Sequence, residues 1–208
     1  MANVKISALG AATVPLGGTE LLEVVQGGTS KRVAASAVGN SATAVPFTSV
    51  AGRAHCIAYN STDVAFAANT PTVIEFDTAG IEVGITVENN PGGDPTRVTF
   101  AAAGTYEIAV HAQFANVDSA DHTASAWFRL NGTDIAFSAT ELVVPKAADG
   151  GAAFYQVQGI LVATAGQYVE FVVAVEDADV SLAHSAAITS PYNRPSIPSA
   201  LIVVQRIA

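Results

Sequence analysis

The sequence predicts an all-β protein whose C-terminal part is an antiparallel jelly-roll sandwich of about eight to ten strands, preceded by an extended arm and a β-hairpin. Three observations lead to this prediction. Short segments with apolar residues at alternate positions recur roughly every ten residues from Phe47 onward. Turns rich in Gly, Pro and Asn separate these segments. No amphipathic helical pattern of useful length interrupts them.

The N-terminal segment differs from the rest of the chain. ISALGAATVPLGG has no clear strand pattern and is broken by Pro and Gly, so we expect an extended arm. ELLEVVQGGTSKRV then predicts two strands joined at Gly27 and Gly28, which supply the positive φ of a two-residue turn. A lone two-stranded hairpin is barely stable in water. We therefore expect it to pack on other copies of the chain or on a larger assembly.

The strands that follow can be assigned in order from their patterns. TYEIAVHAQF is the clearest, because every second residue from Tyr106 to Phe114 points to one apolar side. Asn131 and Gly132 are typical of a hairpin turn between two further segments. The predicted strands are TPTVIEFD, GIEVGITVEN, TYEIAVHAQF, ASAWFRL, DIAFSAT, FYQVQGILVAT, YVEFVVAVED and ALIVVQRIA.

The last two strands and the composition predict self-association. Hydrophobic residues make up 50% of the chain and charged residues only 13%, about half the usual charged fraction. YVEFVVAV and ALIVVQRIA carry apolar residues on both faces, whereas the outer face of a monomeric antiparallel sandwich is normally polar. We therefore expect these outer faces to meet other subunits. The residues assigned to this trimer interface are His111, Val172, Ala174, Ile202 and Val204.

The charge pattern argues against nucleic acid and membrane as partners. The net charge is −9, and only Lys31 and Arg32 are adjacent among the scattered basic residues. No basic stripe matches a phosphate backbone or an anionic membrane surface. We find neither the apolar core of a secretory signal nor an apolar run long enough for a membrane span.

The sequence contains no recognisable catalytic motif. It has no G-x-S-x-G elbow and no Walker loop, and its serines and Cys56 lack an identifiable base. Cys56 is the single cysteine, which fits a small buried hydrophobe in a protein made in a reducing cytosol. We predict that the protein is not an enzyme and needs no cofactor.

Two groups of polar residues have competing interpretations. Glu176, Asp177 and Asp179 form either a solvated loop or oxygen ligands for calcium, without EF-hand spacing. His111 is either an ordinary strand-surface histidine or, near a threefold axis, one of three that titrate together or bind an ion. We assign no metal site. If the domain binds a sugar or a receptor, the candidate loops are 116–123, 144–152 and 190–199.

Three segments, in the expected order, resemble the trimeric jelly roll of the complement-head and tumour-necrosis-factor type. They are VTFAAAGTYEIAVHAQF, AWFRLNGTDIAFS and GILVATAGQYVEFVVAVED. The resemblance covers roughly residues 70–208. Gln167 departs from the pattern, because such domains often carry Asp after this Gly. The resemblance implies a jelly roll that assembles as a homotrimer.

The stretch NVKISALGAATVPLGGTELLEVVQGGTSKRVAASAV is similar to the leader of tailed-bacteriophage structural proteins. This similarity implies a virion protein, assembled in the host cytoplasm, whose leader attaches to the particle. The expected domains are 1–45, an anchoring arm with the hairpin, and 46–208, a jelly-roll trimerisation domain. The residues assigned to anchoring are Leu22, Val24, Val25, Gly27, Gly28, Lys31 and Arg32.

We therefore expect a non-enzymatic, homotrimeric capsid decoration or head fibre protein whose partner is the major capsid or tail protein. The short chain without a long shaft favours the head over the tail. The alternative is a tail fibre or tail tip protein that binds a host-surface glycan or receptor through loops of the jelly roll.

Overall fold

A computed structural model of the chain describes residues 21–26, 29–34 and 53–208. The chain divides into two compact units, Met1–Ala51 and Gly52–Ala208. In the first unit, β1 (Leu21–Gln26) and β2 (Thr29–Ala34) pair antiparallel, with Gln26 opposite Thr29. The predicted hairpin is therefore present. The predicted arm and the turn at Gly27 and Gly28 lie outside the described residues.

The second unit is an antiparallel β-sandwich of the jelly-roll type, which confirms the predicted fold class. A short 3-10 helix, Ala147–Asp149, is the helical element of its described part. Its strands are β3 (His55–Asn60), β4 (Val64–Ala65), β5 (Thr72–Val73), β6 (Thr78–Val83), β7 (Ile85–Asn89), β8 (Pro95–Phe100), β9 (Gly104–Asn116), β10 (His122–Leu130), β11 (Thr133–Asp134), β12 (Thr140–Val144), β13 (Ala152–Ala163), β14 (Tyr168–Val175), β15 (Val180–Leu182) and β16 (Ala200–Arg206).

The strands form two sheets. Sheet 1 has the order β11-β10-β14-β8-β7, with β12 also paired to β10 and β5 to β14. Sheet 2 has the order β4-β15-β9-β16-β3-β6, with β13 also paired to β9. The long strand β9 is its centre: β13 follows one edge of β9 over twelve residue pairs, and β16 follows the other. Neighbours along the sheets are therefore mostly distant in sequence.

The core lies between the two sheets and combines aliphatic side chains with several aromatic rings. Along β9 every second residue from Tyr106 to Asn116 is buried, as the sequence pattern predicts. The Tyr106 hydroxyl donates to the Ala102 carbonyl at 2.6 Å, so its one polar atom is satisfied at the edge of the core. Phe100 packs on Tyr106 with ring centroids 4.3 Å apart. The inward side chains of β9 thus form a large part of the core that both sheets share.

Several predicted strands differ from those observed. GIEVGITVEN is two strands, because the chain leaves sheet 2 after β6 and enters sheet 1 at β7. Gly84, between them, has a φ of +65°, a conformation that favours glycine at this change of sheet. In TPTVIEFD only Thr72–Val73 forms a ladder, and the amide of Phe76 bonds instead to the Pro95 carbonyl. In DIAFSAT only the first residue, Asp134 of β11, and the last, Thr140 of β12, form ladders, and the unpredicted β12 takes the place beside β10.

Candidate functional site

The outward side of sheet 2 is the candidate functional site. Its strands place an unusual number of apolar side chains away from the core. We call this set the apolar face; its members are Ile57, Ile81, Val83, Ala109, Phe154, Ile160, Val162 and Val203.

Register between the strands brings these residues into rows. Residues directly opposite on neighbouring strands share a face of the sheet. Ile81 stands opposite Ile57, Ile57 opposite Val203, and Val203 opposite Ala109. This row crosses four strands, or about 14 Å. A neighbouring row contains Tyr59, Leu201 and His111. The first row is therefore a continuous apolar strip from β6 to β9, where it meets Gln158 of β13.

The strand β13 adds exposed apolar side chains at the margin of the sheet, beside the polar residues Gln113, Glu107 and Thr105 that stand opposite them on β9. Phe154, Ile160 and Val162 are 58%, 68% and 73% exposed. Within the described part of the chain β13 pairs only with β9, so its second edge is unpaired. A long edge strand with exposed apolar side chains is a site of strand pairing or association unless something covers it.

A small polar group interrupts the apolar face. Glu107 on β9 accepts hydrogen bonds from the side-chain amides of Gln205 on β16 and Gln158 on β13. The carboxylate is therefore satisfied by neighbouring strands of its own sheet. Nearby, the ring of His111 meets that of Phe154 edge-on, with centroids 5.7 Å apart.

The outward side of sheet 1 is different, because it carries a row of alternating charges. Arg129 stands opposite both Asp134 and Glu170, and Arg97 stands opposite Glu88. The Arg129 Nε lies 2.6 Å from Asp134 Oδ1, and the Arg97 Nε lies 3.7 Å from Glu170 Oε1. We call this row the charge ladder; in order across the sheet it contains Asp134, Arg129, Glu170, Arg97 and Glu88.

Aromatic rings flank the charge ladder. The Trp127 indole N–H donates to Asp134 at 2.7 Å, and the Arg97 guanidinium lies 4.2 Å from the centre of the Tyr168 ring. Hydrogen bonds from Arg129 and then Trp127 hold the pKa of Asp134 below its usual value. The charge ladder is thus a polar row whose ion pairs lie within the chain, as expected of a surface that faces water.

The structure distributes the predicted interface residues over three places. His111 lies on the outward side of sheet 2, beside Phe154. Ala174 and Val172 lie on the outward side of sheet 1, where Val172 is already fully buried between its neighbours Trp127 and Val73.

The assignment of β16 needs a correction. Ile202 and Val204 are fully buried in the core of the single chain, so they cannot contact a second subunit. The outward residues of β16 are Leu201 and Val203. Gln205 lies on that same side, and its polarity was the signal in the sequence that this side faces outward.

Sequence reasoning also missed Phe154, Ile160 and Val162. Their even spacing in FYQVQGILVAT, on the same side as two glutamines, was the available signal. Of the predicted anchoring residues, Leu22, Val24 and Val25 lie in β1, and Lys31 and Arg32 lie in β2. Gly27 and Gly28 lie outside the described residues.

The loop of residues 116–122 is held by an ion pair. His122 Nε2 lies 2.7 Å from Asp118 Oδ2. The hydrogen bond that His122 donates to the Asp118 carboxylate raises the pKa of His122, and the same bond lowers the pKa of Asp118. Asn116 ties the loop further, since its side-chain amide donates to the Ala120 carbonyl at 2.8 Å.

The acidic residues after β14 are engaged in turns. Glu176 accepts from the Thr123 amide at 3.0 Å, and Asp177 accepts from the Asp179 amide at 2.9 Å. Among residues 53–208 and the two hairpin strands, no group of three or more His, Cys, Asp or Glu is placed to hold a metal ion.

The sulfur of Cys56 is buried, and burial followed by the nearby Glu82 raises the pKa of its thiol to about 11. The described part of the chain contains no helix with the length and hydrophobicity of a membrane span.

The chain matches no protein-family model and no curated protein sequence.

Proposed function

We propose that this protein is a non-enzymatic structural component of a bacteriophage particle. It is a homotrimeric capsid decoration or head fibre protein, attached by its N-terminal arm to the major capsid or tail protein. The observation that supports this best is the apolar face of sheet 2, which gives a physical reason for self-association. The resemblance of the N-terminal stretch to phage leaders supplies the virion context.

The contrast between the two outer sides supports association through sheet 2. The charge ladder of sheet 1 is paired within the chain and has the polarity of a water-facing surface. The apolar face contains large side chains that are more than half exposed. Covering such surface stabilises a complex by about 25 cal/mol per Å² before the costs of association are subtracted.

The apolar face has two unlike ends. One is formed by β13, which pairs only with β9 among the described residues, and the other by β3 and β6. A contact between unlike ends of two identical subunits is heterologous, and such contacts close into a ring when the rotation allows it. A threefold ring uses both ends of every subunit and leaves neither exposed.

The experiment that tests this proposal has two readings. Sedimentation velocity of the intact protein at micromolar concentration should give a trimer, and a stable monomer would contradict the proposal. A chain lacking residues 1–45 should remain trimeric but fail to join phage particles during assembly. Full incorporation of the truncated chain would exclude the arm as the anchor.

The second candidate function is a tail fibre or tail tip protein that binds a host-surface glycan or receptor. A cleft beside the segment 183–199 favours it, because that segment includes one of the predicted ligand loops. Imaging of the particle with a label on this chain distinguishes the two, since the first requires a position on the head and the second a position on the tail.

A further inference from the structure

A cleft of about 270 Å³ lies where outward side chains of β3 and β16 meet the segment of residues 183–199. Tyr59 and Leu201, at the margin of the apolar face, form its floor. All of its walls belong to one chain, so the cleft does not require the trimer. Its lining residues are Tyr59, Ser61, His184, Ser196, Pro198 and Leu201.

The segment that forms one wall is braced by hydrogen bonds along its length. The Ser185 and Ile197 backbones bond to each other at 2.9 and 2.8 Å, as in a short antiparallel ladder. The Arg194 guanidinium donates to the carbonyls of Pro195 and Ala186. The cation of this segment is therefore occupied by backbone oxygens and does not line the cleft.

Both ends of the segment are attached to the end of β3. The His184 amide donates to the Asp63 carboxylate at 2.6 Å. The buried Ser199 donates from its amide to the Asn60 carbonyl at 3.1 Å and from its hydroxyl to the Asn60 side-chain oxygen at 3.2 Å. The walls of the cleft are thus fixed before any ligand arrives, which lowers the entropic cost of binding.

The lining of the cleft combines apolar surfaces with uncharged polar groups. Tyr59, Pro198 and Leu201 offer apolar surfaces, and two serine hydroxyls, a phenol and an imidazole offer hydrogen bonds. No Asp, Glu, Lys or Arg is among the lining residues. An anionic ligand would find no fixed cation here, and a purely apolar ligand would leave several polar groups without partners.

One hydroxyl has a defined direction. Ser61 Oγ donates to the Asp77 carboxylate at 2.9 Å, and the Ser61 amide bonds to the same carboxylate. Because its proton is used by Asp77, the Ser61 oxygen offers lone pairs, so it accepts a hydrogen bond from a ligand. A ligand hydroxyl is the simplest group that would donate to it.

We propose that this cleft binds a single ring of a neutral sugar. A sugar ring has one apolar face and several hydroxyl groups, which match the apolar and uncharged polar parts of the lining. The volume lies just below the usual range of ligand sites, so one ring fits and a long oligosaccharide would extend into solvent. The same ring can come from a free monosaccharide or from the end of a bacterial surface polysaccharide.

The test uses the full chain and neutral probes. Saturation-transfer NMR and calorimetry are run with free glucose, galactose and N-acetylglucosamine, and in a second arm with neutral bacterial polysaccharide. Binding in the first arm identifies the ring alone as sufficient; binding only in the second identifies a polymer end as the ligand. Absence of binding in both arms overturns the proposal, as does binding that occurs only with sialylated or sulfated glycans.

Two variants locate the binding to the cleft. Ser61→Ala removes one hydrogen-bond acceptor and should weaken binding about tenfold. Ser196→Trp fills the cleft from an exposed position, so it should abolish binding without unfolding the protein. Tyr192→Ala is the matched control, because Tyr192 is an exposed aromatic residue of the same segment that does not line the cleft. Sugar binding that survives Ser196→Trp, or that is lost in Tyr192→Ala alone, overturns the assignment.

Sedimentation of the same samples separates this inference from the proposed function. A monomer that binds sugar contradicts the trimer and leaves the cleft assignment standing. A trimer that binds no neutral sugar contradicts the cleft assignment alone. If a neighbouring subunit fills the cleft instead, Ser196→Trp will dissociate the trimer, and this outcome also overturns sugar binding.

Discussion

Glu107 on β9 stands directly opposite Gln205 on β16 and accepts a hydrogen bond from its side-chain amide. The second oxygen of the same carboxylate accepts from Gln158 on β13. These three side chains tie the middle strand to both of its neighbours on the side of sheet 2 that carries the apolar face. We expect this tie to matter most when the face is covered, because a covered polar group without a partner is costly.

The polar tie gives the first prediction. Glu107→Ala leaves the two glutamine amides without their acceptor, so it should weaken the trimer by about 1–3 kcal/mol per subunit. Sedimentation equilibrium measures the change, and Glu75→Ala, an exposed carboxylate elsewhere, serves as the control. Equal effects of the two variants would mean that Glu107 has no special position in the assembly.

The apolar face gives the second prediction. Phe154→Ser removes a large exposed side chain from β13, and full burial of such a side chain contributes about 1.5–3 kcal/mol. The trimer should therefore dissociate at concentrations more than about tenfold higher than for the unaltered protein. Mass photometry over a dilution series measures this shift.

Phe137→Ser is the control for that experiment. Phe137 is fully exposed but lies in the loop between β11 and β12, away from sheet 2. Its replacement should leave the oligomeric state unchanged. If both variants dissociate the trimer equally, or if neither does, the apolar face is not the interface.

The charge ladder gives the third prediction. Glu170 is buried, with the Arg97 Nε 3.7 Å from its carboxylate and Arg129 opposite on the neighbouring strand. Glu170→Ala leaves the Arg97 cation without this partner and should lower the free energy of unfolding by about 1–3 kcal/mol. Urea denaturation measures the loss. Glu141→Ala, on the exposed strand β12 of the same sheet, should change it little, and a similar loss there would assign the effect to net charge instead.

The pair of His122 and Asp118 gives the fourth prediction, which concerns pH. The pKa of His122 is raised in the folded protein, so protonated His122 stabilises the fold. This stabilisation is complete below the ordinary histidine pKa near 6.5, and it is lost as the pH rises through the pKa of the folded state. The pKa of Asp118 is lowered, so its contribution is lost as the solution becomes acidic. The pair should therefore stabilise the loop most between about pH 4 and 6.5.

An NMR titration of the His122 ring measures this directly. The midpoint should lie above the ordinary histidine value and should fall in Asp118→Asn, which removes the charge and keeps the shape. The melting temperature of the unaltered protein should fall as the pH rises from weakly acidic to weakly alkaline values. In His122→Ala this fall should be smaller. A midpoint unchanged by Asp118→Asn would contradict the pairing.

The strand β9 shows how far the sequence alone leads to the fold. Its inward and outward residues alternate strictly, because one side meets the core and the other side does not, and the pattern predicted both sides correctly. The strand β16 is harder, since Leu201 to Val204 are all apolar. When both faces of a strand are apolar, the sequence does not show which face points to the core. Here the one polar residue that shows it is Gln205, which follows the apolar run.

The charge ladder could not be predicted from the sequence. Its five residues are spread from Glu88 to Glu170 and come together only through the register of five strands. The same holds for the sugar cleft, where Tyr59 and Ser196 are far apart in the chain. Local patterns identify strands, but contacts between distant strands depend on topology that no local pattern contains.

One edge of β13 has no partner strand within residues 53–208, and this edge affects how the protein must be handled outside the cell. A newly folded subunit can meet its correct neighbours or an unrelated strand, and both encounters become faster as the solution is concentrated. Assembly into a closed oligomer ends after a few subunits, whereas pairing of one strand edge with another can continue without limit and produce aggregates. Refolding by slow dilution will therefore return more usable material than rapid transfer at high concentration, and a charged residue placed on that margin would suppress precipitates together with the assembly itself.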